Sequence, residues 1–185
     1  MEIYHQRIIQ FQKNAESLKK YYNLIGLFRF LSLVLFLVTS YFFYNLYEIS
    51  YLIVAFLGLI AFVIFINFHD KINYSIKVNK ALLQINSDEI VFLNREKIPF
   101  NSGAEFTDFE HLYCFDLDIF GANSLFQSLN RTATFVGKKT LANQLLTLLP
   151  NESIIQNQIA VKELAANLDY RQHFLAISKI QFHLN

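Results

Sequence analysis

The segments FLSLVLFLVTSYFFYNLY (residues 30–47) and ISYLIVAFLGLIAFVIFINF (residues 49–68) set the architecture of this chain. Glu48 is the only charged residue from Phe30 to Phe68. A helix needs roughly 20 mostly apolar residues to cross a bilayer core of about 30 Å. Buried helices of a soluble bundle are the alternative, but they would carry a polar stripe, and these segments are apolar on all sides. The sequence therefore predicts two transmembrane helices and a lipid bilayer as the first partner.

The composition of the whole chain agrees with this prediction. Of its 185 residues, 54% are hydrophobic and 17% are charged, whereas a soluble domain carries about 25% charged residues. The net charge of +1 gives no general electrostatic attraction to nucleic acid. The single cysteine, Cys114, cannot form an internal disulfide and lacks the spacing of a zinc site.

Lysine and arginine flank the hairpin on both sides, whereas the connecting turn carries none and holds Glu48. Basic residues accumulate on the cytoplasmic side of membrane proteins. We therefore expect a multi-pass inner-membrane protein with both termini in the cytoplasm. The basic residues are Arg7, Lys13, Lys19, Lys20 and Arg29 before the first span, and Lys71, Lys77 and Lys80 after the second.

The flanking segments 1–29 and 69–96 both show apolar residues at alternating spacings of four and three, typical of paired helices. We expect the two segments to pair as a cytoplasmic continuation of the hairpin, 30–68. An amphipathic helix lying on the lipid headgroups is the alternative for each. The predicted seams are Tyr4, Ile8, Phe11, Ala15, Leu18 and Tyr22, and then Ile72, Ile76, Asn79, Leu83, Asn86, Ile90 and Leu93.

Residues 97–123 lose this periodicity and contain Pro99, Gly103 and Gly121, which predicts a linker with short extended pieces at a domain boundary. From residue 124 onward the pattern is helical, so the fold class is all-α. Four residues are expected to cap successive helices; they are Ser124, Thr134, Asn151 and Asp169. The apolar side chains expected to face inward on these helices are Leu141, Leu145, Leu148, Ile155, Ile159 and Leu164.

Gly137-Lys138-Lys139-Thr140 is close to the Gly-Lys-Thr that ends a phosphate-binding loop. That loop requires GxxxxGK[ST], in which the first glycine frees the backbone and the hydroxyl follows the lysine directly. Here Thr132 occupies the first-glycine position, and the hydroxyl of Thr140 is one residue late. No buried strand precedes the segment. We therefore expect no nucleotide site, no cofactor and no enzyme activity in this chain.

The stretch SLFQSLNRTATFVGKKTLANQLLTLLPNESI (124–154) resembles the start of the helical core domain of MutS-type mismatch-repair ATPases. Those proteins have a short SLLxLLD helix, a T-x-T-x-x-G turn, a helix ending before proline, and a helix opening RxxAVxxL. DLDIFG (116–121) and the upstream hairpin are similar to the membrane-anchored MutS-like proteins of Bacteroidetes-type bacteria. Asn157 replaces the usual arginine of the last motif. The residues that match the family motifs, and for which the resemblance implies structural roles, are Asp116, Asp118, Gly121, Ser124, Thr132, Thr134, Gly137 and Pro150.

The resemblance implies that residues 124–185 begin a MutS-like core domain, and that this chain is an N-terminal portion of a longer protein. In the family an ATPase domain follows the core, so ATP and Mg²⁺ are expected only in a missing C-terminal domain. It also implies association with DNA and a homodimer for the full-length protein. The alternative is a small membrane scaffold whose cytoplasmic helical tail binds a protein partner.

Two further clusters are weighed as sites. Asp116 and Asp118 could be metal ligands, but no third ligand lies near them in sequence, which favours a turn or capping role. Arg131, Lys138 and Lys139 could contact nucleic-acid phosphate, although a solvated helix face is the simpler interpretation.

Overall fold

The structure, a computed structural model, describes residues 1–182. Those residues contain six α-helices, one 3₁₀ turn at Ala104–Phe106 and no strand, so the predicted all-α class is confirmed. No extended strand forms in 97–123. The helices are α1 (Glu2–Leu46), α2 (Ile49–Leu93), α3 (Leu125–Leu129), α4 (Phe135–Leu146), α5 (Asn151–Ala166) and α6 (Leu168–Phe182).

Helices α1 and α2 each absorb a predicted flanking segment and a predicted span into one continuous helix of 45 residues. At 1.5 Å per residue each is roughly 68 Å long, more than twice the thickness of a bilayer core. Tyr47, in the short connection between them, has a left-handed backbone with φ 57°. Only 11% of the most apolar 18-residue window in either helix is buried, and both helices are long and apolar enough to cross a membrane.

By contacts, residues Gln10–Lys80 form one compact unit, which we call the hairpin unit. Inside it α1 and α2 run antiparallel, since the ring of Phe28 stacks on Phe65 (centroids 5.8 Å apart) and that of Phe42, later in α1, stacks on Tyr51, earlier in α2 (5.7 Å). Phe11 is buried, and the other seam positions of this unit on α1 are half-buried. These half-buried seam positions are Ala15, Leu18 and Tyr22. The predicted seam of α1 therefore faces α2 in this unit.

Within the described residues, Met1–Ile9 and residues 81–182 form the second compact unit, which we call the core unit. The predicted linker 97–123 is irregular but belongs to this unit instead of separating two domains. Cys114 and Ile119 are buried, and the ring of Phe126 is completely buried. Aromatic packing joins this segment to α3, because the ring centroids of Phe106 and Phe126 lie 5.9 Å apart.

Two of the four predicted helix caps are confirmed. Ser124 Oγ accepts a hydrogen bond from Gln127 N at the start of α3, and Thr134 Oγ1 accepts one from Gly137 N at the start of α4.

The other two predicted caps are wrong by one or two residues. Asn151 is the first residue of α5, and Pro150 precedes it as the cap without a side-chain hydrogen bond. Asp169 lies in the first turn of α6, where its carboxylate contacts Arg7.

The predicted inward face of α5 is also wrong, because no residue of α5 is buried. Ile155 and Ile159 are 57% and 63% exposed, and Leu164 is 42% exposed. In α4, Leu141 and Leu145 are half-buried, but Leu148 follows the end of the helix and is 94% exposed. An apolar pattern predicts a helix, but it does not predict which of its apolar side chains become buried against another part of the protein.

Candidate functional site

The turn between α3 and α4 is built around the buried side chain of Asn130, which is 3% exposed. Its Oδ1 accepts hydrogen bonds from the backbone N of Thr132 (3.0 Å) and from Thr132 Oγ1 (2.7 Å). Its Nδ2 donates to the carbonyl oxygen of Asn101 at 3.2 Å. An Asn side chain that replaces backbone partners in this way fixes a turn. The turn from Asn130 to Gly137 is therefore held at both ends, by Asn130 and by the Thr134 cap.

Arg131 projects from this turn onto α2. Its guanidinium binds both carboxylate oxygens of Glu89, with Nε–Oε1 at 2.6 Å and Nη2–Oε2 at 3.0 Å. Nη1 donates to the carbonyl oxygen of Ser128 at 2.9 Å. The planar group also stacks on aromatic rings, with Cζ 3.4 Å from the centroid of Phe100 and 4.8 Å from that of Phe92. Two-point pairing with stacking is the geometry in which arginine differs most from lysine.

The other two residues of the predicted phosphate-contact patch do not join Arg131. Lys138 Nζ lies 3.1 Å from Glu105 Oε1, and Lys139 is exposed. A hydrogen bond from the backbone lowers the pKa of the Glu105 carboxyl, and Lys138 lowers it further. The donors of Arg131 are committed to Glu89 and to carbonyl oxygens, so a phosphate would have to displace them. A phosphate role for these three residues stays a prediction.

The GKKT segment lies in the first two turns of α4. Gly137 N donates to Thr134 Oγ1 at 3.0 Å, and Thr140 Oγ1 donates to the carbonyl oxygen of Val136 at 2.9 Å. Gly137 has no positive φ. A Cβ placed on it would lie 3.1 Å from Thr134 Oγ1 and 3.4 Å from Thr132 Cβ, and the closest atoms outside the backbone of its own helix all belong to side chains. The glycine therefore adjoins the threonine side chains of its own turn.

A cleft of about 440 Å³ opens beside this turn, inside the core unit. Thr132 and Gly137 line one side of it. The other walls are mainly apolar, and apolar clefts with few polar groups are the usual form of a binding site. The turn therefore contributes directly to a surface that could receive an apolar side chain. The apolar wall residues are Tyr4, Ile85, Leu164, Leu168, Phe174 and Leu175.

A buried polar cluster lies at the cleft and joins α1, α2 and α6. Asn86 is completely buried, and it exchanges two amide hydrogen bonds with Gln172, at 3.0 and 2.9 Å. Arg7 Nε donates to Gln172 Oε1 at 2.9 Å, and Arg7 Nη2 lies 2.7 Å from Asp169 Oδ1. Buried amides that satisfy each other define one register for the helices that carry them. Asn86 is one of the two asparagines of the predicted α2 seam.

The remaining motif residues lie apart from the cleft. Asp116 and Asp118 are exposed, and Asp118 has a left-handed backbone with φ 45°. Gly121 has φ 107°, and its backbone N donates to the carbonyl oxygen of Ser102 at 3.0 Å. Within residues 1–182, no group of three or more His, Cys, Asp or Glu side chains is placed to hold a metal ion.

Comparison with known proteins returns no matching family model, no matching curated protein and no matching solved structure. The MutS resemblance therefore rests on the motif residues alone.

Several organising residues carried no signal in the sequence. Glu89 pairs with Arg131 across 42 positions of the chain, and Gln172 pairs with Asn86 across 86. Phe100 and Gly103 stand in the segment that looked like a linker. An asparagine in an apolar seam predicts a polar partner, so Asn86 was the one available indication.

Proposed function

We propose that this chain is the membrane-anchored N-terminal part of a MutS-like, DNA-associated ATPase. In this proposal α1 and α2 insert in the bacterial inner membrane with both ends in the cytoplasm. The ATPase domain, with its ATP and Mg²⁺, follows the helical core, and the full-length protein binds DNA as a homodimer. This chain itself carries the anchor and the first helices of the core and performs no catalysis.

The observation that carries the proposal is the turn from Asn130 to Gly137. Its residues follow the order of the family motif, and both motif threonines make hydrogen bonds that hold the turn. Thr134 caps α4, and Thr132 bonds to the buried amide of Asn130. A threonine cap by itself is common at helix starts; what supports the proposal is that both motif threonines and the glycine belong to one turn that lines the cleft.

The exposed face of α5 also supports the proposal. Ile155 and Ile159, one helical turn apart on the same face, are 57% and 63% exposed, on a helix without a buried residue. Large apolar surfaces are uncommon on isolated soluble units and mark contact with more protein. Additional helices of a core domain would cover this face.

A second candidate uses the same exposed surface differently. A membrane scaffold whose helical unit binds a separate protein would also leave α5 and the cleft uncovered until the partner arrives. The two candidates differ in whether the gene encodes an ATPase domain after the core helices.

The test is the reading frame beyond Asn185 together with ATP hydrolysis by the complete product. We expect a GxxxxGK[ST] loop downstream and hydrolysis that is lost when the lysine of that loop becomes alanine. The present 185-residue chain should bind no nucleotide. A stop codon directly after Asn185 would exclude the ATPase proposal and leave the scaffold. Micromolar ATP affinity of the 185-residue chain, lost in Lys138→Ala, would contradict the structural interpretation of the GKKT segment.

A further inference from the structure

The loop between the 3₁₀ turn and α3 exposes four large apolar side chains. Phe109 and Leu112 are 82% and 92% exposed, and Phe115 and Leu117 are 52% and 60% exposed. The rings of Phe109 and Phe115 lie with centroids 5.3 Å apart, so these two side chains form one patch. Single exposed apolar residues are ordinary, but a group of them in one loop marks an interaction surface. We call residues 108–118 the acidic loop.

The acidic loop is fixed in place while it exposes these side chains. Tyr113 Oη donates to the carbonyl oxygen of Leu146 at 2.8 Å, and His111 Nε2 lies 2.9 Å from the same oxygen. That oxygen belongs to the last residue of α4, where carbonyls have no partner within the helix. Cys114 is 3% exposed and anchors the middle of the loop. Tyr113, His111 and Cys114 therefore face the rest of the core unit, and the large apolar residues are exposed on a preorganised loop.

Every charge in the acidic loop is negative. Asp108, Glu110, Asp116 and Asp118 are all exposed, and no lysine or arginine occurs in 108–118. The anionic cytoplasmic face of a membrane attracts basic segments and repels acidic ones. Burial in a larger core of the same protein would remove four carboxylates from water, at a cost of several kcal/mol each unless they are paired. Neither a lipid surface nor a core interior suits this loop.

We propose that the acidic loop docks a separate protein that presents an apolar pocket rimmed by lysine or arginine. An apolar centre within a charged rim is the usual anatomy of a protein interface, and the opposite charge on the partner would steer and orient the encounter. The inference does not depend on the ATPase proposal, because it uses only the side chains of the acidic loop.

Site-specific photo-crosslinking in the organism that encodes the chain tests this inference. The photo-reactive residue benzoyl-phenylalanine replaces Leu112 in the natural gene, and in a matched strain it replaces Leu148. The two leucines are 92% and 94% exposed, but Leu148 lies outside the acidic loop. We expect position 112 to link one other polypeptide, and the linked peptide to lie on a surface with lysine or arginine beside it. Position 148 should not link that protein.

A second experiment removes negative charge from the acidic loop. The substitutions Asp108→Asn, Glu110→Gln and Asp116→Asn remove three charges from exposed positions. Asn at 108 keeps the Oδ1 that accepts from Glu110 N. We expect the crosslinked fraction at position 112 to fall at least about threefold, because charge complementarity drives the encounter. An unchanged fraction would overturn the proposal. So would links to lipid, to a second copy, or to another part of the same chain, and so would yields no higher than at position 148.

Discussion

The hairpin unit and the core unit are both helical, but different interactions hold them. In the hairpin unit the contacts repeat along two helices, and polar side chains bond to their own helix. Thr39 Oγ1, for example, donates to the carbonyl oxygen of Leu35 at 2.7 Å. In the core unit single side chains bridge distant segments, as when Gln127 Nε2 donates to the carbonyl oxygens of Ile98 (3.2 Å) and Phe100 (2.9 Å). Repetition distributes stability over many similar contacts, whereas bridging concentrates it in a few residues.

The largest effect is expected at Gly103. Its φ is +66°, and an added Cβ would lie 2.5 Å from a ring carbon of the buried Phe126. The left-handed backbone and the overpacking together should lower the free energy of unfolding by roughly 2–5 kcal/mol in Gly103→Ala. Thermal unfolding of the full chain in detergent, followed by tyrosine circular dichroism, measures this loss.

Gly121 is the matched control for that substitution. Its φ is +107°, but apart from Gly121 itself and its two chain neighbours no heavy atom lies within 4 Å of the position of an added Cβ. Gly121→Ala should therefore show only the backbone cost, about 1–2 kcal/mol. Equal losses in the two variants would show that Phe126 does not press against Gly103.

Arg131→Ala ranks next. The substitution leaves the Glu89 carboxylate, whose side chain is only 16% exposed, without its partner, and removes the stacking on Phe100. We expect a loss of about 2–3 kcal/mol in unfolding free energy, below the full cost of an orphaned buried charge because the pair is partly hydrated. Arg131→Lys should recover less than half, because lysine cannot pair at two points. Lys139→Ala, at an exposed position, should stay within about 0.5 kcal/mol, and similar losses at 131 and 139 would exclude this role for Arg131.

Within the hairpin unit the sensitive position is Gly58. An added Cβ would be 3.4 Å from the backbone N of Phe36 and 3.4 Å from the carbonyl oxygen of Ser32, so a larger side chain must separate the helices. Gly58→Leu should cost roughly 1–3 kcal/mol of packing. At Gly26 the closest such atom is a side-chain nitrogen at 4.0 Å, so Gly26→Leu should disturb the helices less.

Disulfide formation reports the effect at Gly58. Cysteines replace Phe28 and Phe65 in a Cys114→Ser background, and the crosslinked fraction is measured after mild oxidation. Gly58→Leu should lower that fraction more than Gly26→Leu does. Equal fractions in the two variants would mean that close helix contact at Gly58 does not hold the hairpin.

The smallest effect is expected from Glu105. Its folded-state pKa is lowered by a backbone hydrogen bond and by Lys138, so its stabilising contribution is complete above the unfolded-state pKa. The contribution disappears as the pH falls through the folded-state pKa. Glu105→Gln should therefore be slightly less stable than the natural chain at neutral pH and equal to it in strong acid. The pair is exposed, so the difference should stay below about 1 kcal/mol. A difference that grows toward acid pH would contradict this sign.

Periodicity explains which parts of the fold could be predicted. The apolar runs predicted two helical spans and the seam spacing predicted a helical segment beside each, and Ser124 and Thr134 marked two helix starts, because caps and periodic faces are local signals. The extent of α1 and α2 was not predictable in the same way, since no proline stands between an apolar run and its flanking segment to mark a boundary or its absence.

The core unit was less accessible because its contacts join residues far apart. The sequence placed Arg131 in a basic patch because nothing in it indicates that Glu89 pairs with this arginine or that Phe100 stacks on it. Residues 97–123 looked like a linker because aromatic packing around Phe126 has no helical or strand period. A glycine inside a helix predicts close backbone packing or a positive φ, but Gly137 shows neither. Its Cβ position adjoins Thr132 and Thr134 instead.

Cysteine labelling on intact spheroplasts tests the membrane anchor that the proposed function requires. Reporter cysteines replace Glu48, in the connection between α1 and α2, or the exposed Glu96 beyond α2, with Cys114→Ser in both. Asn86 would be a poor reporter because it is fully buried. An impermeant thiol reagent should label position 48 at once and position 96 only after the membrane is permeabilised. Labelling of position 96 on intact spheroplasts, or recovery of the chain in the soluble fraction, would contradict a hairpin anchor with both ends in the cytoplasm.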